Sequence, residues 1–309
     1  MNVIEVQRIS KAYGPVQALR ELTFTLREGE IFGLIGPDGA GKTSLFRILA
    51  TLLLPDSGAA SIRLPGGGGP LDLVRDYRQI RQRIGYMPGR FSLYTDLTVE
   101  ENLSFFASVF GSSIRENYAL IAPIYQQIEP FKKRRAGALS GGMKQKLALC
   151  CALIHRPGLL LLDEPGTGVD PVSRKEFWDM LRNLRADGLP ILVSTPYMDE
   201  AEWCDRVALI QQGSILALDT PEGIRQRFQQ PLFAVRSDHM YRLIRDLREM
   251  PGVADCYAFG AFAHLKLAPD NAPDPAALHS YLQARQHHDI VLQPVAPSIE
   301  DCFIEFMKN

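Results

Sequence analysis

The chain has 309 residues, 46% of them apolar and 22% charged, and its net charge is −1. That is ordinary globular composition with room for one large domain and a small one, and it excludes a global basic field that would draw the chain onto nucleic acid or anionic lipid. Five cysteines without CxxC spacing fit reduced thiols in the cytosol rather than a disulfide framework. The opening MNVIEVQRIS lacks a basic flank followed by an apolar core, so no signal peptide is expected there. No apolar run approaches the ~20 residues of a spanning helix, so a membrane role would need another chain to cross the bilayer.

Residues 3–9 alternate and predict a strand, and a second is predicted over 22–26. After a turn at 27–30, IFGLIG reads as a short strand buried on both faces. A glycine-rich turn then leads into TSLFRILATLLL, where Leu45, Ile48, Leu49 and Leu52 fall at helical spacing until Pro55-Asp56-Ser57-Gly58 stops it. PGGGGP at 65–70 predicts a surface loop. IGYM at 84–87 predicts a strand, 95–158 a helical region, and LLLL at 159–162 a buried strand. A helix over 172–187, a strand over 191–195, a short helix over 198–204 and a hairpin over 206–211 and 214–218 follow. Composition shifts near Gln229-Gln230-Pro231, and the remainder predicts a β-α-β-β-α-β order with a last helix over 299–307, a small split α+β sandwich. The most basic run, Lys132-Lys133-Arg134-Arg135, is four residues long and reads as a solvated loop or helix end rather than a nucleic-acid patch.

Three motifs carry chemistry. Gly36, Pro37, Asp38, Gly39, Ala40, Gly41, Lys42 and Thr43 match G-x-x-x-x-G-K-[ST] between a buried strand and an amphipathic helix. Such a turn points backbone N–H groups inward as a nest for phosphates, and the helix start adds its dipole. Lys42 supplies a point charge there, and Thr43 a hydroxyl for Mg²⁺. Asp163 and Glu164 end an apolar strand at the edge where open α/β sheets bind ligands. Asp163 is the expected Mg²⁺ partner through water, and Glu164 the base that polarises attacking water. LSGGMKQ at 139–145 is a further Ser-Gly-Gly turn opening a helix, a second anion seat around Ser140, Gly141 and Gly142.

The P-loop (Walker A), LSGGMKQ and LLLLDEP, in this order, resemble the nucleotide-binding subunit of an ABC transporter over residues 3–228. The resemblance implies a P-loop NTPase of ABC type, a mixed α/β sheet core with a helical subdomain at about 95–155, in a domain spanning 1–228. A small C-terminal α+β accessory domain spans 232–309. It implies ATP and Mg²⁺ as ligands, with residues 36–44, including Ser44, on the phosphates and Tyr13 stacked on adenine. Ser140, Gly141 and Gly142 are implied to contact the γ-phosphate held by a second nucleotide-binding domain, in a homo- or heterodimer, with Asp170 on the loop crossing that dimer. Residues 95–138 are implied to meet a transmembrane permease. The protein is then peripheral on the cytoplasmic face of the inner membrane, with no nucleic-acid partner. The ending Pro297-Ser298-Ile299-Glu300-Asp301-Cys302-Phe303 and STPYMDEAEWCDR are similar to the ABC-2-type drug and multidrug efflux branch. The tail's apolar positions serve equally as a plain core without a regulatory task.

Two positions depart from the family pattern. Gly89 follows IGYMP where the family has Gln, whose carbonyl meets Mg²⁺ and the attacking water; Arg90, a donor only, cannot replace it. Gln82 lies at the far end of that strand, roughly five residues at ~3.3 Å each away. Pro196 follows ILVST where the family has His, and it carries neither a polar side-chain atom nor an N–H. Lys146 and Gly166 are smaller departures, read as neutral. The expected activity is ATP hydrolysis that powers efflux, with slowed turnover. The alternative is a degenerate subunit that binds ATP and completes a competent site on a partner. A soluble ATPase of translation or repair would need a second P-loop or coiled-coil insertions, which the sequence lacks.

Overall fold

The computed structural model describes residues 1–66, 68–270 and 272–308. Gly67, within the loop expected at 65–70, lies outside the described residues. The chain divides into two compact units, Met1–Pro221 and Glu222–Asn309. That division falls ahead of the composition shift at 229–231.

In the first unit, β1 (Asn2–Tyr13) and β2 (Val16–Arg27) form an antiparallel ribbon. Both exceed the predicted strands, because ladder bonds satisfy the backbone out to the pair Tyr13↔Val16, where side-chain alternation has already faded. Then come β3 (Ile31–Ile35), α1 (Lys42–Leu49), β4 (Ser57–Ile62), β5 (Leu71–Asp72), α2 (Tyr77–Arg83) and β6 (Ile84–Met87). The helical region resolves into α3 (Val99–Val109), α4 (Ile114–Tyr125) and α5 (Gly141–Leu153), whose N-caps are Thr98, Ser113 and Ser140. β7 (Leu159–Asp163), α6 (Pro171–Ala186), β8 (Ile191–Thr195), β9 (Arg206–Gln211) and β10 (Ser214–Asp219) complete it, and α7 (Pro221–Arg225) lies at the division.

The helix expected through Leu52 ends earlier. α1 stops at Leu49, Thr51 turns into the left-handed region at φ 59°, and Leu52 is 57% exposed. Pattern reasoning also missed β4, whose SGAASI carries little strand propensity, and α2, which buries Ile80 alone. β4 exists because β1 offers it an antiparallel edge.

Two sheets build this unit. One has the order β2-β1-β4-β5; the other has β10-β9-β3-β8-β7-β6, with β9, β3, β8, β7 and β6 parallel and β10 antiparallel at the edge. Leu159, Leu160, Leu161 and Leu162 are all wholly buried, as central parallel strands require, and each contributes ~1.5–3 kcal/mol relative to exposure. The carboxyl ends of β3, β7 and β8 lie side by side, and the loops leaving them build the site.

The second unit contains β11 (Leu232–Arg236), α8 (Met240–Arg248), β12 (Val253–Phe259), β13 (Phe262–Leu267), α9 (Pro275–Ala284), β14 (Val291–Pro294) and α10 (Ile299–Phe306). Its antiparallel sheet has the order β12-β13-β11-β14. The expected β-α-β-β-α-β order is present, with ends shifted by one or two residues. Val235, Leu247, Cys256, Leu265 and Leu282 lie in its apolar core. A polar cluster joins α10 to the sheet: the Asp301 carboxylate accepts from Tyr257 Oη (2.7 Å) and from Ser298 N (2.7 Å), and lies 2.6 Å from His264 Nδ1. Among the described residues no helix is long and apolar enough to cross a membrane.

Candidate functional site

The chain leaves β3 at Ile35 and turns through 36–41 into α1. Gly36 N–H donates to Thr195 O (3.2 Å), which ties this turn to the end of β8. A Cβ at Gly36 would stand 2.1 Å from Ile210 O, and one at Gly41, with φ 104°, would stand 2.3 Å from Ala18 O. Only glycine allows backbone to run this close to backbone. Asp38 and Gly39 form the exposed tip, Pro37 is half-buried, and Ala40 is buried with its carbonyl accepting Gly213 N–H at 3.0 Å.

Lys42 is 2% exposed. Its Nζ donates to Gly36 O (2.7 Å) and Pro37 O (2.9 Å) and lies 3.0 Å from Glu164 Oε1. An ammonium has three donors, and these three partners use them. The Tyr13 ring is exposed, and its hydroxyl sits 3.3 Å from Ser44 Oγ, beside the cradle.

The carboxylate edge is held from β8. Ser194 faces Asp163 across the parallel pair and is wholly buried. Its Oγ donates to Asp163 Oδ1 (2.7 Å) and accepts Glu164 N–H (3.0 Å), while Glu164 N–H also reaches Ser194 O (3.1 Å). Glu164 has φ 51°, a left-handed conformation that costs a non-glycine residue ~1–2 kcal/mol. Burial pushes the Asp163 carboxyl up, against hydrogen bonds from Ser194 and Thr43 that pull it down. The Tyr86 hydroxyl is pushed up to about 12, by burial first and then by the charge of Asp163. A buried carboxylate beside a threonine hydroxyl is the oxygen donor set that suits a hard divalent cation.

The departures lie on this same edge. A Cβ at Gly89 would stand 3.0 Å from Asp163 O and 3.7 Å from Asp163 Oδ2, so a side chain there would enter the carboxylate site. Glycine brings nothing to it, Arg90 is exposed, and Gln82 sits in α2, ahead of β6. Pro196 follows Thr195, whose carbonyl holds Gly36. Its pyrrolidine ring brings carbon alone to the loop leaving β8. Beyond it, Arg174 stacks on Tyr197 (4.3 Å) and its Nε lies 3.5 Å from the buried Glu200. A groove of about 360 Å³ runs from Gly89 and Glu164 past Phe91, Phe106 and Lys144 to His155, whose Nε2 lies 3.0 Å from Ile84 O.

A second group forms at the starts of α5 and α6. Ser140 caps α5, its Oγ accepting Met143 N–H at 3.3 Å. Asp170 caps α6, and the Ser173 N–H bond (2.9 Å) holds its carboxyl below the usual carboxylate range. A Cβ at Gly142 would stand 2.7 Å from Ser173 Oγ, and one at Gly141 3.5 Å from Gly168 O, so the two helix starts touch. The predicted residues thus fall into two sets: Tyr13, the cradle, Asp163 and Glu164 in one, and Ser140, Gly141, Gly142 and Asp170 in the other. Sequence reasoning overlooked Ser194 and the Arg174–Tyr197–Glu200 group. A hydroxyl inside the apolar run ILVST was the available signal for the first.

The ABC transporter family model matches residues 19–167. A probable multidrug ABC transporter ATP-binding protein of Escherichia coli (strain K12) is 39% identical over 295 residues, which are 94% of this chain and 49% of that protein. The chain therefore spans about half the length of that relative. A Nod factor export ATP-binding protein I of Burkholderia orbicola (strain AU 1054) is 40% identical over 224 residues, 72% of each protein. The solved structure of the ATP-binding subunit of an ABC transporter overlays with a TM-score of 0.64 at 30% identity, covering 73% of this chain and 93% of that one. With a P-loop at the end of β3 and an LSGG turn at the start of α5, the chain belongs to the ABC transporter family of ATP-binding proteins.

Proposed function

We propose that this chain binds Mg-ATP and hydrolyses it slowly as the nucleotide-binding subunit of an ABC-2-type efflux transporter, held on the cytoplasmic face of the membrane by permease subunits. One observation carries the reading: Lys42 is bonded to the cradle carbonyls and to Glu164 at once. Phosphates entering the cradle compete for Lys42 and release Glu164 toward water. Thr43 and Asp163 would hold Mg²⁺, which supplies charge neutralisation at the β- and γ-phosphates. Glu164 then accepts a proton from the attacking water as the new bond to the γ-phosphorus forms and the bridging P–O bond breaks, leaving ADP and phosphate. Tyr13 stacks on the base. The efflux assignment rests on relatives named for multidrug transport and Nod factor export.

The helix starts capped by Ser140 and Asp170, with Gly141 and Gly142 between them, would act as a second anion seat besides the P-loop, which supports a head-to-tail dimer whose closure brings each seat to the partner's ATP. The nucleotide-binding domain is assigned to 1–228 and an accessory domain to 232–309. A second reading has its own support. Gly89 and Pro196 bring no polar atom to the edge where water is placed, which favours a subunit that binds ATP and completes a competent site on a heteromeric partner.

The test is nucleotide binding and turnover by the purified chain. Wild type should bind Mg-ATP, and Lys42→Ala should weaken binding by at least about tenfold. Equal binding by Lys42→Ala and wild type would overturn the cradle assignment.

A further inference from the structure

We propose that Ser194 is a positioning residue that sets the Mg²⁺ response of the site by fixing Asp163 and Glu164 together through one hydroxyl. The geometry assigns the role. Ser194 is wholly buried in β8, where its register partner is Asp163 in β7. Its hydroxyl has one hydrogen, and that hydrogen goes to Asp163 Oδ1 at 2.7 Å. Its lone pair receives Glu164 N–H at 3.0 Å. Donor and acceptor are thus used in opposite senses on two successive residues, which a hydroxyl can do and a methyl cannot.

Two consequences follow. With Oδ1 engaged, the Asp163 carboxylate cannot rotate freely, and Oδ2 remains as the oxygen facing the Gly89 loop, where a Cβ would stand 3.7 Å away. The second consequence concerns Glu164, whose φ of 51° is unfavourable for its residue type. Its N–H is held doubly, by Ser194 O at 3.1 Å and by Ser194 Oγ. Ser194 therefore supports the strained turn that aims Glu164 at Lys42, 3.0 Å away. Gly89 brings no side chain to this edge, so the placement of Asp163 depends on its own neighbours, Ser194 and Thr43.

This inference rests on the ATP-binding reading, and the experiment separates the two. Affinity for a fluorescent ATP analogue is measured in EDTA and in Mg²⁺ for wild type, Ser194→Ala and Ser194→Thr, with thermal melting as a check on folding. The readout is the ratio of the two Kd values. Ser194→Ala should lower affinity in Mg²⁺ far more than in EDTA, cutting the Mg²⁺ enhancement by roughly tenfold, the scale of a hydrogen bond to a charged group. Ser194→Thr keeps the hydroxyl and should restore most of the enhancement. An unchanged enhancement in Ser194→Ala overturns the proposal, as does an equal loss in EDTA and Mg²⁺, which is the signature of a merely structural role. If Thr will not fold in the buried site, Ser194→Cys, with its weak S–H donor, should fall between wild type and Ala, and a Cys variant no better than Ala counts against the role. Absence of any nucleotide binding by wild type would instead sink the ATP-binding reading itself.

Discussion

Lys42, Asp163 and Glu164 are fastened from several directions, whereas Gly89 and Pro196 reach the same sheet edge with no polar side-chain atom. Lys42 has three partners, and Asp163 has Ser194 beside it. At Gly89 there is no side chain, and at Pro196 there is a carbon ring next to the residue that holds Gly36. In the proposed reading the first region gathers phosphate and cation, and the second is where water placement and γ-phosphate sensing would be done. A site of this kind separates binding from turnover. Positioning and charge stabilisation supply nearly all of the catalysis in phosphoryl transfer, so on that reading the bare region should lower the rate while affinity stays with the fastened one.

The strongest way to break that comparison is to refill the bare positions. Gly89→Gln combined with Pro196→His should raise Mg-ATP turnover by about 10–100-fold, because one aligned donor at the transition state carries ~10²–10³ and a transplanted one recovers part of it. The Cβ at position 89 comes within 3.0 Å of Asp163 O, so that loop must yield by a few tenths of an ångström, which keeps the recovery partial. Adding Glu164→Gln should abolish the gain, with ATP affinity held within a few-fold. A refilled site that binds ATP but stays near zero would favour the heteromeric reading.

The fastened region was legible in the sequence because its backbone demands are rigid. No residue but glycine fits at 36 or 41, and the run at 159–162 is wholly apolar between two parallel neighbours, so these positions announce themselves. The bare region was legible as substitutions against a family pattern. Ser194 was not, because its meaning depends on its register with Asp163 of β7, 31 residues away in sequence. α1 was read as too long for a similar reason: Leu52 keeps helical spacing, but Thr51 breaks the helix at φ 59°. The second unit was readable because each of its short strands is bounded by turn residues, while the partners of Asp301 were not, since they come from β12, β13 and the α10 cap together.

That polar cluster gives the next test, one of stability rather than catalysis. Burial pushes the Asp301 carboxyl up, but bonds from Ser298, Tyr257 and His264 outweigh it and hold the group below its ordinary value. A lowered carboxylate contributes stability that is complete above about pH 4 and is lost as pH falls through the depressed folded value. Asp301→Asn can satisfy the donors on one of its two sides only, so it should destabilise the second unit by about 1–3 kcal/mol at pH 7. The difference from wild type should shrink below pH 4. A gap of the same size at pH 3 and pH 7, measured by denaturant unfolding, would mean that the Asp301 charge is not what holds α10.

The smallest expected effect lies at the rim of the fastened region. Tyr13 is 45% exposed, and its hydroxyl contact with Ser44 Oγ is long at 3.3 Å. Lys11 Nζ lies 5.9 Å from the ring centroid, a distance at which an exposed cation–π contact is weak. If the ring stacks on the base, Tyr13→Phe should leave ATP affinity within twofold, whereas Tyr13→Ala should weaken it by about 5–10-fold, the low end of base–aromatic stacking. Tyr13→Trp should match or exceed wild type. GTP affinity should fall by a similar factor in Tyr13→Ala, because every base has a π-face. Loss in Phe equal to that in Ala would move the contribution from the ring to the hydroxyl, making Ser44 rather than adenine the partner that matters and extending the fastened region outward to β1.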